Sequence, residues 1–198
     1  MLFFTCVNKE YKQLSSIYKY CVKRVYPDAN VCVTQINNNA SCSRFLVNPK
    51  SRYVHITDAD ILILPHEKTH EEYYSQFAVN GACYVRGCTE GGGKKWLDDS
   101  ARIADGHVGF YEEFYTRTKW LRKYYERHIE NYREFDEVML ARILKLADYP
   151  IPEEPYTFHD ILRMMHIRVK SDLKKLKRMS MILFYQKILH WKNRTSLS

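Results

Sequence analysis

The chain has 198 residues, 45% of them hydrophobic and 14% aromatic, and carries a net charge of +8. Such a chain suits one globular core and excludes a disordered protein. It has no apolar run of the roughly 18 residues a membrane span needs, and its apolar start, Met1 to Val7, lacks a preceding basic stretch and runs into Asn8-Lys9-Glu10, so neither a span nor a signal peptide is expected.

Leu2 to Val7 reads as a buried strand, and Lys9 to about Val25 as a helix with Leu14, Ile17, Tyr18 and Cys21 on its apolar face, closed by Tyr26-Pro27-Asp28. Asn30 to Ile36 alternates and is rich in valine, as a second strand would be, and Tyr53 to Ile56 is a third. That strand runs straight into Thr57-Asp58-Ala59-Asp60 and then Ile61-Leu62-Ile63-Leu64-Pro65. Ala82 to Arg86 is a further strand, followed by the loop Thr89 to Lys95 with its three glycines. From Glu112 the pattern turns helical, with Phe114, Trp120, Leu121 and Tyr124 as candidate core residues, and a second helix spans Phe135 to Leu146 before the cluster Pro150 to Pro155. Strands alternating with helices predict an α/β domain, a mainly parallel central sheet flanked by helices, over residues 1–165. Residues 166–198 are expected to form a basic, amphipathic helical tail that packs on the domain or on a partner.

The six cysteines fall mostly as single residues in apolar segments, which predicts reduced thiols. Cys83 and Cys88, or His55 with Asp58, lack the second matched pair that a zinc site requires. Gly91-Gly92-Gly93 lacks the lysine and serine pattern of a phosphate loop and suits a mobile acceptor loop instead. The basic balance suits an anionic partner and does not by itself choose among nucleic acid, an anionic membrane and a nucleotide diphosphate.

The aspartate pair is the informative motif. Two carboxylates two residues apart, at the end of a hydrophobic strand, can share one divalent cation, and such a cation can clamp a diphosphate. Charges between Ile56 and Ile61 are also costly to bury without a partner, so the apolar flanks sharpen the signal. In parallel sheets, ligands bind at the carboxyl ends of strands, and the pair sits at one such end.

The run Arg52 to Ile63 resembles the DxD segment of glycosyltransferases of the A fold (GT-A). The resemblance covers about residues 1–165 in the order of elements, and it implies transfer of a sugar from a nucleotide-diphosphate sugar, most often a UDP-sugar, to a hydroxyl of a glycan or glycoprotein. Asp58 and Asp60 would then hold Mn2+ or Mg2+, with His159 completing the shell and His166 as the alternative. Ser43-Arg44-Phe45-Leu46 matches the arginine that reaches the donor in retaining members, so Arg44 is a donor contact or else an exposed helix flank. Thr5, Val7 and Asn8 hold the position of the base and ribose contacts, Ala59 lies within the motif, and Asp105 and His107 match the loop beside the donor sugar, with Gly106 and Gly109 as close-approach glycines. Asp136 and Glu137 resemble the acidic pair under the acceptor site, where one carboxylate is the general base of inverting members; acids in a first helical turn are also favoured by the helix dipole.

Small size and the Asp-Ala-Asp context are most similar to the glycosyltransferase domains of large algal (chlorella) viruses that glycosylate capsid protein. That likeness implies action in the cytoplasm, of the host if viral, a possible further domain in a longer chain, and no nucleic-acid partner. The competing reading, a basic module whose tail from Arg163 to Arg194 engages nucleic acid or an anionic membrane, needs no carboxylates fixed at a strand end.

Overall fold

A computed structural model of the chain describes residues 1–37, 39–65, 67–84, 108–132, 136–151 and 166–168. Its centre is a six-stranded sheet in which β1 (Leu2–Val7) lies between β2 (Asn30–Gln35) and β3 (Tyr53–Ile56), both parallel to it. The far half is antiparallel: β7 (Val108–Tyr111) pairs with β3, β6 (Ala82–Cys83) with β7, and β5 (Ala78–Val79) with β6. The α/β class holds, with the parallel strands gathered in the half that carries the first strand–helix units. A separate two-stranded ribbon joins β4 (Ile61–Ile63) to β8 (His166–Arg168) in antiparallel register, Ile63 opposite His166 and Ile61 opposite Arg168. The segment expected to be a helical tail therefore opens with a strand, and the rest of it lies outside the described residues.

Every residue of β1 is buried, because both faces of the sheet are covered. Leu2, Phe4 and Cys6 share one face with Val54, Ile56, Val108 and Phe110. That face packs on α2 (Ala40–Leu46), α4 (Glu112–Arg117), α5 (Lys119–Arg127) and α6 (Asp136–Leu146), through residues such as Phe45, Phe114, Leu121 and Leu140. Phe3 lies on the opposite face with Tyr18 and Val22 of α1 (Leu14–Val25) and with Ile61 and Ile63 of β4. Here α3 (His70–Ser75) adds His70 and Tyr74, its start fixed by a capping box between Thr69 and Glu72.

Two sequence expectations are corrected. Trp120 and Tyr124 are not core residues: they are 65% and 53% exposed, while Tyr115 and Tyr125 are buried. The buried stripe runs Phe114, Thr118, Leu121, Arg122 and Tyr125, spacings that keep one helical face, and Trp120 and Tyr124 fall off it. Gly109 is small for a neighbour within the fold: a Cβ there would overlap the Tyr53 ring, since Tyr53 crosses β7 at this point.

Candidate active site at the carboxyl ends of β1 and β3

Parallel pairing carries β1 and β3 to the same sheet end. The ladder continues one step past β3, where the Thr57 amide donates to the Phe4 carbonyl at 3.3 Å. Asp58, Ala59 and Asp60 then form a turn, closed by the Ile61 amide donating to the Asp58 carbonyl. Thr57 is itself anchored by a 2.7 Å hydrogen bond between its Oγ1 and the Tyr18 hydroxyl.

Arg44 projects from α2 and is only 2% exposed, so it is not the solvated helix flank that the sequence also allowed. Its Nη1 pairs with Asp58 Oδ1 and its Nη2 with Asp136 Oδ2, the latter at 3.1 Å. One buried guanidinium thus joins carboxylates that lie far apart in sequence, and both keep a small share of exposure, 18% and 15%. Arginine suits this place because its planar fork can serve two carboxylates at once. Asp136 Oδ1 also accepts from the Glu137 amide at 3.2 Å, which places both acids in the first turn of α6.

Asp60 stands differently. Burial raises its carboxyl above the ordinary value of 3.8, opposed by a hydrogen bond from its own amide and by the Arg44 charge. The site thus holds a carboxylate whose desolvation exceeds its local compensation. That is the condition a bound cation relieves, and hard carboxylate oxygens are the donors that Mn2+ or Mg2+ prefers. Asp60 fits such an ion on these grounds, while Asp58 is held by the Arg44 guanidinium. Among the described residues no group of three or more His, Cys, Asp and Glu side chains is assembled to hold a metal. His159 lies outside the described residues, as do Asp105 and His107. His166 is placed in β8 opposite Ile63, three residues beyond Asp60 in the chain.

The remaining donor candidates sit along β1. The Thr5 and Val7 side chains are buried, and the Val7 carbonyl accepts from the Ile36 amide at 2.9 Å. Thr5 Oγ1 has no hydrogen-bond partner among the described residues. Asn8 follows the strand and turns its Oδ1 to the Tyr11 amide at 3.0 Å, which fixes the exit from the sheet. Cys6 faces the α2 side, where burial raises its thiol to about 12 against the pull of Arg44.

Sequence reasoning passed over Arg122. It is 5% exposed and donates to the carbonyls of Leu46 at 2.8 Å and Tyr115 at 2.9 Å and to Thr118 Oγ1 at 3.2 Å. A charged residue on the buried stripe of α5 was the available signal.

No family model matches the chain, and no curated protein matches it. Among solved structures it is similar to the galactosyltransferase LgtC in complex with donor and acceptor sugar analogs, at 13% identity and a TM-score of 0.45, over 71% of this chain and 69% of that one. It is also similar to the apo-form glycosyltransferase GlyE of Streptococcus pneumoniae, at 11% identity and a TM-score of 0.44, over 77% of this chain and 44% of that one. Both are glycosyltransferases. No helix among the described residues is long and apolar enough to cross a membrane.

Proposed function

We propose that this chain is a metal-dependent glycosyltransferase that moves a sugar from a nucleotide-diphosphate sugar, a UDP-sugar first among them, to a hydroxyl of a glycan or glycoprotein in the cytoplasm. The observation that carries the reading is the buried Arg44 guanidinium joined to Asp58 and Asp136 beside Asp60, at the shared carboxyl end of β1 and β3. Charge is expensive to bury, and a fold that needed only stability would do as well with apolar side chains here.

In this reading Asp58 and Asp60 hold Mn2+ or Mg2+, which neutralises the charge growing on the leaving diphosphate. Arg44 adds a fixed positive charge close to that end of the sheet and keeps Asp58 oriented. Asp136 already accepts through both oxygens, from Arg44 and from the Glu137 amide. We therefore assign it to orienting Arg44 and the sugar, and leave Glu137 as the acid nearest the acceptor side. Thr5, Val7 and Asn8 border the nucleotide end, and Asp105, His107 and His159 remain candidates for the sugar and the ion.

The test is calorimetric titration of UDP, GDP and CDP with and without Mn2+, on the wild-type chain and on Asp58→Asn and Asp60→Asn. UDP should bind only with the metal, and either substitution should abolish that binding while leaving the circular dichroism spectrum unchanged. Metal-independent binding, or normal UDP affinity in both variants, would overturn the reading.

A further inference from the structure

Helix α2, which carries Arg44, has only seven residues. A helix that short is unstable alone, so contacts elsewhere in the fold must set its place. It packs on β1, α5 and α6 and on the 3-10 turn Ile129–Tyr132, and its two ends are bonded from that turn and from α5. At the amino end of α2, Asn39 adopts a left-handed conformation with φ of 42° and donates through Nδ2 to the Ile129 carbonyl at 2.9 Å. At the carboxyl end, Arg122 Nη1 reaches the carbonyls of Leu46 at 2.8 Å and Val47 at 3.4 Å. These carbonyls belong to the set that a helix terminus leaves without intrahelical partners, and a cation there also meets the negative end of the helix dipole.

Among the described residues the hydrogen-bond partners of Arg122 are the carbonyls of Leu46, Val47 and Tyr115 and the Thr118 hydroxyl, none of them a carboxylate. Burial draws its guanidinium below the ordinary arginine value, opposed by Tyr115 and Glu126. A buried charge spent on carbonyls and a hydroxyl needs a reason beyond packing. Helix α6, which carries Asp136, shows the same device, because Arg117 Nε donates to the Ala147 carbonyl just past its last turn at 3.0 Å. The two helices whose side chains meet as Arg44 and Asp136 are thus each held at the carboxyl end by an arginine of the α4–α5 segment. Arg117 is the more exposed of the two arginines, so its hold is the weaker.

We infer that Arg122 is a positioning residue, holding α2 at the height where Arg44 meets both Asp58 and Asp136, with Arg117 doing the same more weakly for α6. The inference rests on the reading of Arg44 as part of the donor site.

Two measurements on the full chain test it. The first uses no ligand: the coupling between Arg44→Lys and Asp136→Asn is read as the departure from additivity of their shifts in urea midpoint. It should be present in the wild-type background and lost with Arg122→Met. The second titrates UDP with Mn2+. Arg122→Met should weaken binding by about tenfold, within the range known for groups that orient a site from behind. The same substitution should add almost nothing once Arg44 is lysine, because coupled residues fail to add. Arg122→Lys, which keeps the charge and can reach one carbonyl, should fall between, and it replaces Arg122→Met if that variant does not fold. Coupling that persists in the Arg122 variant, or UDP losses that add in full, would make Arg122 a general support of the fold and overturn the inference. If the wild-type chain binds no UDP, the donor reading fails while the ligand-free coupling still judges Arg122.

Discussion

The two faces of the sheet both bury polar groups, and they do so with different chemistry. On the face covered by α1 and α3, hydroxyls meet hydroxyls and imidazoles. The Tyr26 hydroxyl and His70 Nδ1 are 2.6 Å apart, Tyr53 and His55 Nδ1 3.4 Å, and the His55 and His70 rings stand edge to face with centroids 4.7 Å apart. Burial pushes the Tyr26 phenol up to about 12, so it stays protonated and able to donate. On the face covered by α2 and α6 neutral hydroxyls are joined by a network of ions, Arg44 with Asp58 and Asp136, which stands at the end of the strands. A hydrogen-bonded aromatic layer can fix the middle of a sheet at modest energetic stake. Buried ions put far more at risk, and they lie where ligands bind in sheets of this kind.

The sharpest way to break this contrast is to remove the ion at its centre. Arg44→Met deletes the shared cation and leaves two carboxylates near each other in a mostly buried place. The loss of a buried partner puts the expected destabilisation at about 3 kcal/mol or more at neutral pH. Urea unfolding at pH 7 should show it as a lower midpoint with an unchanged slope, and a second substitution, Asp58→Asn, should recover part of it. A midpoint close to wild type would mean that the carboxylates find water or another cation, and the network would then be a weak surface pair.

On the aromatic face the matching test is Tyr18→Phe, which removes the hydroxyl 2.7 Å from Thr57 Oγ1 and leaves that buried oxygen without its partner. The expected loss is about 1 kcal/mol, the ordinary worth of one neutral hydrogen bond. Thermal and urea unfolding of this variant beside Arg44→Met would place the two faces on one scale. Equal losses would remove the distinction drawn above.

How much of this was legible in the sequence follows the same division. β1, β3 and the aspartate turn were readable because a short apolar run ending in two acids has few other solutions, and α1 was readable from its spacing, apart from a start at Leu14 rather than Lys9. Arg44 could be named by its distance before the motif, yet its burial and its bond to Asp136 depend on a contact spanning 92 residues that no local pattern encodes. The α4–α5 stripe was misread because large aromatics were chosen over strict periodicity: Trp120 and Tyr124 drew attention, while Thr118 and Arg122, polar but in phase, were passed over. α3 was not anticipated at all, although Thr69 and Glu72 spelled its capping box.

The smallest effect we expect concerns Asp60, and its sign is the useful part. Burial raises its carboxyl in the folded chain above the ordinary 3.8, so the folded state resists ionisation more than the unfolded state does. The protonated form is therefore the stabilising one: its contribution is fully present below the ordinary carboxylate range and is lost as pH rises through the raised folded value. Above that raised value the penalty is complete. Asp60→Asn, which cannot ionise, should accordingly melt slightly higher than wild type at pH 7 in the presence of a chelator, and this advantage should shrink as the pH is lowered through the carboxylate range. Adding Mn2+ should narrow the gap from the other side, by stabilising the wild-type chain and not the variant. A loss of stability in Asp60→Asn without metal would mean that the carboxylate is already compensated by the fold, and Asp60 would then have no reason to seek an ion.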